Sequence, residues 1–503
     1  MPPVLLFSFV IGYFLLLLAV AYRTSRNSNN DSFFIGNRNS NWTLVAFGMI
    51  GTSLSGVTFV SVPGTVGDFV GNSHKAFGYF QVVIGYWIGY FVVAFVLLPL
   101  YYRLHLTSIY NYLKTRFGNI AYKTGALFFI ISRTIGATAR LYLVINVLHI
   151  FILKEMGIPF PVTTFIILLM ILLYTLEGGV KTIVYTDTLQ TTFMLLGLVV
   201  CIVYIMNHLG MSVTTTLQAL DDKGFTGIFN TDIKSKGYFL KQVIGGMFIT
   251  IGMTGLDQEM MQKNISVKNL KDSKKNMISF SVIMVVVNFL FLLLGGLLYL
   301  FLLNNGASYS GHQLILNGKT VIGDDLFPTI ALNYLPKTVS IIFIIGLISA
   351  LFPSADGALT SLTSSFCIDI LGLKNRKDKN EKEVKRIRMT VHTFFAFLFL
   401  LCIMAFKWID NKSVINIILE LAGYTYGPLL GLFAFGIFSR RRLPETWSIT
   451  AVCLLTPVIC YFLSKYSAQW MGGFQIGIEL LPINGILTYL GLLMISKRQA
   501  PIN

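Results

Sequence analysis

Blocks of apolar residues, most of them long enough to cross a bilayer, alternate with shorter polar segments along the whole of this 503-residue chain. Thirteen spans are predicted, at 4–22, 42–70, 78–102, 124–152, 160–176, 183–207, 239–262, 277–304, 338–372, 389–406, 414–438, 446–464 and 475–495. Within each block the apolar residues run continuously rather than along one helical face, the pattern of helices solvated by lipid and by one another. The expected fold is therefore an all-α polytopic membrane protein of about thirteen transmembrane helices. The longest polar loops, 208–238 and 305–337, have room for a helix or two. Val4 to Tyr22 has no basic residue before it and runs into Arg23-Thr24-Ser25-Arg26 without a small-residue cleavage site, so it reads as a retained helix.

Two blocks carry helix-breaking chemistry at mid-depth: Gly51-Thr52-Ser53-Leu54-Ser55-Gly56-Val57-Thr58 and Ala350-Leu351-Phe352-Pro353-Ser354-Ala355-Asp356-Gly357. Lipid cannot hydrogen-bond a freed carbonyl, so irregular backbone at that depth must be buried in protein or face a cavity. Both stretches predict interrupted helices that offer oxygen to a small cation, as in the binding sites of transporters. Charges inside apolar spans are few: Arg133, Arg140, Asp187, Asp257 with Glu259, Asp356 and Glu420. Such groups pair with one another or serve a function. Arg133 and Arg140 are seven residues apart and share a helix face at a separation of about 10 Å. They read either as partners of these acids or as a recognition device for a substrate carboxylate or phosphate. Asp187 reads equally as a cation ligand or as a link to a neighbouring helix.

Composition agrees with membrane residence: 54% of residues are hydrophobic and 12% charged, against about 25% charged in a soluble domain. The net charge of +17 does not point to nucleic acid, because 26 of the 39 lysines and arginines fall in alternate connecting segments. Basic segments stay in the cytoplasm, which places the amino terminus outside and the carboxyl terminus inside the plasma (bacterial inner) membrane. The run Lys374 to Lys379 is expected to meet anionic lipid headgroups. All five cysteines lie inside apolar blocks, so neither disulfides nor a metal site are expected. There is no Gly-x-x-x-x-Gly-Lys-Ser/Thr loop and no dinucleotide fingerprint. Uphill movement of a solute would draw on an ion gradient, and no enzyme activity or organic cofactor is expected.

Five motifs in order carry a resemblance. Thr52-Ser53-Leu54-Ser55-Gly56-Val57-Thr58-Phe59, Gly178-Gly179-Val180-Lys181-Thr182-Ile183-Val184-Tyr185-Thr186-Asp187, Gly255-Leu256-Asp257-Gln258-Glu259, Ala350 to Ser361, and Gly423-Tyr424-Thr425-Tyr426-Gly427-Pro428 together resemble the sodium/solute symporter family. The resemblance implies a LeuT-type core, five helices (42–208) and an inverted copy (209–438), preceded by one helix with its loop (1–41) and followed by two more (439–503). It implies Na+ as coupling ion, held by the carbonyls of Gly51, Leu54 and Ala350 and the hydroxyl of Ser354. Pro353 stands where members of the family commonly have a second hydroxyl; the resemblance implies that Asp356 either compensates or, with Asp187, forms a second cation site. Substrate contacts carried over are Ser53, Ser55, Thr58, Phe77, Gln81 and Asp257. The arginine of the family's sialic acid transporters aligns near Gly136 rather than Arg133 or Arg140, and the sugar transporters' lysine has no counterpart in 277–304. The resemblance thus implies sodium-coupled import of a small polar solute and leaves the solute, the sodium number and the oligomeric state open. A sodium-independent uniporter or channel, and a membrane sensor on the same fold, are the competing readings.

Overall fold

The computed structural model describes residues 2–25, 33–34, 38–69, 75–310, 313–316, 318–321, 323–373, 380–409 and 414–497. The basic run from Lys374 to Lys379 lies outside them. Among the described residues eight helices are long and apolar enough to cross a membrane: Pro3–Ser25 (α1), Tyr79–Arg103, Asn119–Leu153, Thr182–His208, Leu270–Asn304, Lys337–Ile370, Glu381–Trp408 and Ser448–Trp470. Three bent pairs raise the number to eleven: Trp42–Ser53 (α2) with Gly56–Thr65 (α3), Phe239–Gly255 with Gln258–Ile265, and Ile415–Thr425 with Gly427–Phe438. Two shorter apolar helices, Phe160–Leu176 and Leu480–Ile495, occupy the places of two further predicted spans. In chain order the rest are named α4 (Tyr79–Arg103), α5 (Asn119–Leu153), α6 (Phe160–Leu176), α7 (Thr182–His208), α8 (Phe239–Gly255), α9 (Gln258–Ile265), α10 (Leu270–Asn304), α11 (Lys337–Ile370), α12 (Glu381–Trp408), α13 (Ile415–Thr425), α14 (Gly427–Phe438), α15 (Ser448–Trp470) and α16 (Leu480–Ile495).

Burial sorts these helices into core and rim. The apolar stretch of α11 is 78% buried, whereas those of α1 and α12 are 33% buried and that of α15 only 22%. Continuous apolar surface on the outer helices is what lipid requires. The core helices instead approach closely through small residues, as packing between membrane helices demands. A Cβ at Gly85 of α4 would lie 2.2 Å from the Val243 carbonyl of α8, and one at Gly246 would lie 2.4 Å from the Val82 carbonyl. No larger side chain fits at that seam.

The first predicted break is present and the second is not. Asn41 caps α2 by accepting from the Thr43 amide (2.9 Å), and Leu54 leaves the helical region (φ −86°, ψ 83°). Ser55 is extended before α3 begins, and the two axes differ by 56°. By contrast, α11 runs unbroken from Lys337 through Pro353. Proline removes one amide from the ladder without ending a membrane helix when neighbouring helices enclose it, and residues 346–365 are all buried. The bend at Tyr426 (44°) was not predicted. One loop departs from the helical plan: Ser308–Ser310, Gln313–Leu316 and Lys319–Thr320 form a three-stranded antiparallel sheet. Beyond it, the Gly323 carbonyl sits against Gly64 at the end of α3, where a Cβ would lie 2.2 Å away.

Candidate functional site

Every bend frees backbone carbonyls, because the last turn of a helix has no amides ahead of it. At the α8–α9 bend the tyrosines supply donors: Tyr101 hydroxyl to the Gly255 carbonyl (2.8 Å) and Tyr110 hydroxyl to that of Leu256 (2.9 Å). At the α13–α14 bend the Asn484 amide donates to the Gly423 and Tyr424 carbonyls, at 3.0 and 3.1 Å. At the α2–α3 break the carbonyls of Gly51, Thr52, Ser53 and Leu54 receive no hydrogen bond from any described residue. Facing them is α11. The Ser354 hydroxyl is buried there with no hydrogen-bond partner among the described residues, and the Ala350 carbonyl lies 4.0 Å from the place a Cβ on Gly56 would take. Sequence reasoning expected Gly51, Leu54, Ala350 and Ser354 to cooperate. The structure sets the break against an intact α11, with Gly51 beside Pro353 and Gly56 beside the Ala350 carbonyl.

A cavity of about 100 Å³ opens beside the break, lined among others by Ser53, Ser55, Thr58, Tyr86, Arg133 and Arg140. A vestibule of about 300 Å³ lies next to it and includes Lys75, Gln81, Lys236 and Glu420. Tyr79 and Leu419 line both and form the partition between them. Three expected substrate contacts, Phe77, Gln81 and Asp257, are absent from the smaller cavity's lining, although Gln81 borders the vestibule. Phe77 packs edge-on against Phe289. Gln81 is engaged by the loop above, donating to the Gly237 carbonyl (3.4 Å) and accepting from the Asn230 amide (3.2 Å). Asp257 is also committed: it caps α9 by accepting from the Glu259 amide (2.9 Å) and takes a hydrogen bond from the Tyr426 hydroxyl (2.7 Å).

Among the described residues some intramembrane charges form ion pairs, whereas Arg140, Asp356 and Glu420 form none. Arg133 forms an ion pair with Glu259 and lies 3.9 Å from Asp257. Asp187 pairs with Lys263 at 2.6 Å and accepts from the Thr52 hydroxyl at 3.1 Å. Asp356, on the same helix as Ser354, accepts from the Tyr174 hydroxyl (2.9 Å). Arg140 borders the cavity and has neither an ion pair nor a hydrogen bond among the described residues.

Sequence reasoning missed Lys263 and the tyrosines at 79, 86 and 90. Lys263 falls just past the predicted span 239–262, yet it lies in the last turn of α9 with 3% of its surface exposed. The overlooked signal was its spacing from Glu259, four residues apart on one helix face. The tyrosines were hidden because aromatic residues in an apolar span read as core.

A model of the family described as "Sodium:solute symporter family" matches residues 33–445. Among similar proteins, the sodium/sialic acid symporter SiaT of Proteus mirabilis is 25% identical over 92% of this chain and 90% of its own. Sodium-coupled monocarboxylate transporter 1 of Mus musculus is 26% identical over 95% and 72%, and sodium/glucose cotransporter 1 of Oryctolagus cuniculus 23% over 86% and 68%. A solved structure of a Na+-coupled sialic acid symporter, substrate-bound and outward-open, superposes with a TM-score of 0.80 at 18% identity, covering 98% of this chain and 99% of that one. That likeness establishes a shared fold. With the family model spanning most of its length, this integral membrane protein belongs to the sodium:solute symporter family.

Proposed function

We propose that this sodium-coupled symporter imports a small solute bearing a carboxylate, which docks on Arg140 beside the α2–α3 break. The observation that carries the reading is the pair of arginines on α5. Arg133 is neutralised by Glu259, whereas Arg140 presents an uncompensated charge to the cavity. A guanidinium suits the planar, bidentate recognition of a carboxylate. The hydroxyls of Ser53, Ser55 and Thr58 line the same cavity and would bond the polar remainder of the solute. The sialic acid and monocarboxylate relatives carry acids, which supports the choice over the neutral sugar of the glucose relative.

Sodium binds the open carbonyls of Gly51 and Leu54 together with Ala350 and Ser354. These are neutral oxygens, able to hold a hard cation and still release it. Coupling then requires that ion and solute favour the same conformation, since a ligand shifts an equilibrium only by its difference in affinity between the states. We take 42–208 and 209–438 as the two halves that move against each other, with the amino terminus outside and the vestibule facing outward.

Uptake by proteoliposomes of labelled sialic acid, a short monocarboxylate and glucose, each with an inward sodium or potassium gradient, tests the proposal. Accumulation of an acid above its equilibrium level, in sodium alone, is the expected result. Arg140→Ala should weaken the acid's binding about thirtyfold or more, the cost of removing one member of a desolvated charge pair (roughly 2 kcal/mol or above). Accumulation of glucose with neither acid moving would overturn it.

A further inference from the structure

We propose that the ammonium of Lys263 is a built-in cation, seated where a second coupling ion would bind, and that it holds the chain to one sodium per transport cycle. The inference rests on the sodium coupling described above and deepens it. An acid and a hydroxyl on facing helices, both shut off from solvent, make a cation site in outline: Asp187 of α7 is 0% exposed and Thr52 of α2 1%. A cation is already there. The Lys263 Nζ donates to Asp187 Oδ2 and to Thr52 Oγ1, each at 2.6 Å, and Glu259 Oε1 stands 3.7 Å away.

The chemistry of the seat matches an ammonium in an ion's position. Lysine is a compact point charge with three donors on a flexible stem, and its oxygens here approach from two other helices, as ligands close around an ion. Thr52 accepts from Lys263 and donates its own hydroxyl hydrogen bond to Asp187 at 3.1 Å, so each polar group of the trio is used. A sodium ion entering this seat would meet a positive charge within contact distance, and like charges so close in a desolvated pocket exclude one another. The neighbouring break keeps its open carbonyls and the unpartnered Ser354 hydroxyl. One seat is filled by the chain itself, and the other is left for a diffusible ion.

Equilibrium binding of radioactive sodium to the purified full-length chain reads this directly, without knowledge of the solute. The unaltered protein should bind one sodium per chain. Lys263→Met strips the seat of its ammonium and should bind two, Lys263→Gln likewise, while Lys263→Met combined with Asp187→Asn should return to one. Two ions in the unaltered chain overturn the proposal whatever the variants do. A count that stays at one in Lys263→Met or Lys263→Gln, in protein that still binds sodium, overturns it as well. No sodium on any variant would instead remove the site at the α2–α3 break, and this inference with it.

Discussion

Arg133 and Arg140 sit two turns apart on one helix, and their different surroundings set different expectations. Removing Arg133 leaves Glu259 buried and without its main counter-charge, a loss of about 3–5 kcal/mol. Arg133→Ala should therefore lower the thermal midpoint of the purified protein sharply, and Arg133→Met with Glu259→Met should recover most of it. Arg140→Ala should leave that midpoint nearly unchanged, because no described group depends on it for compensation. Ser354 offers a finer probe. Ser354→Ala removes one ligand from the proposed sodium site, worth about 1–1.5 kcal/mol, and should raise the sodium concentration for half-maximal uptake about tenfold. An unchanged sodium dependence would remove Ser354 from the site.

At the scale of elements, legibility followed how strongly a residue constrains its own backbone. The glycines and hydroxyls of 51–58 announced a break because alternative partners for the chain were written locally, and the helix ends at Ser53. Pro353 announced one too, wrongly. A proline constrains only itself and its predecessors, and the tight packing around α11 decided the outcome. The bend at Tyr426 was hidden because its freed carbonyls are served by Asn484, sixty residues downstream. The charged pairs were legible as a set but not as pairs, since Lys263 meets Asp187 across 76 residues of sequence. The seam between α4 and α8 was invisible for the same reason: glycines at 85 and 246 signify little until the two backbones are seen touching. Gly85→Leu should force those helices apart. We expect a fall of several degrees in thermal midpoint and near-complete loss of uptake, as overpacking at a backbone contact costs at least about 1–3 kcal/mol; wild-type stability in that variant would contradict the packing.

Across the whole molecule the break divides an open side from a sealed one. Toward Lys75 and Lys236 lies the vestibule. On the opposite side Ser266 bonds Ser40 (2.9 Å), and the Tyr102 hydroxyl donates to the carbonyls of Asn264 and Val267 at 2.9 and 2.8 Å. If sodium favours this arrangement, an impermeant thiol reagent should modify Thr65→Cys several-fold faster in sodium than in potassium, and Ser266→Cys several-fold slower. Equal rates in both salts would show that the ion does not select this state. The bare guanidinium at position 140 has a kinetic corollary. After cargo departs, the vacant carrier must close around a charge that nothing answers, which is costly away from water. A loaded carrier closes around a neutralised one. Swapping labelled for unlabelled cargo across the bilayer should thus outrun net entry, and the homeward stroke, rather than the laden one, should set the pace.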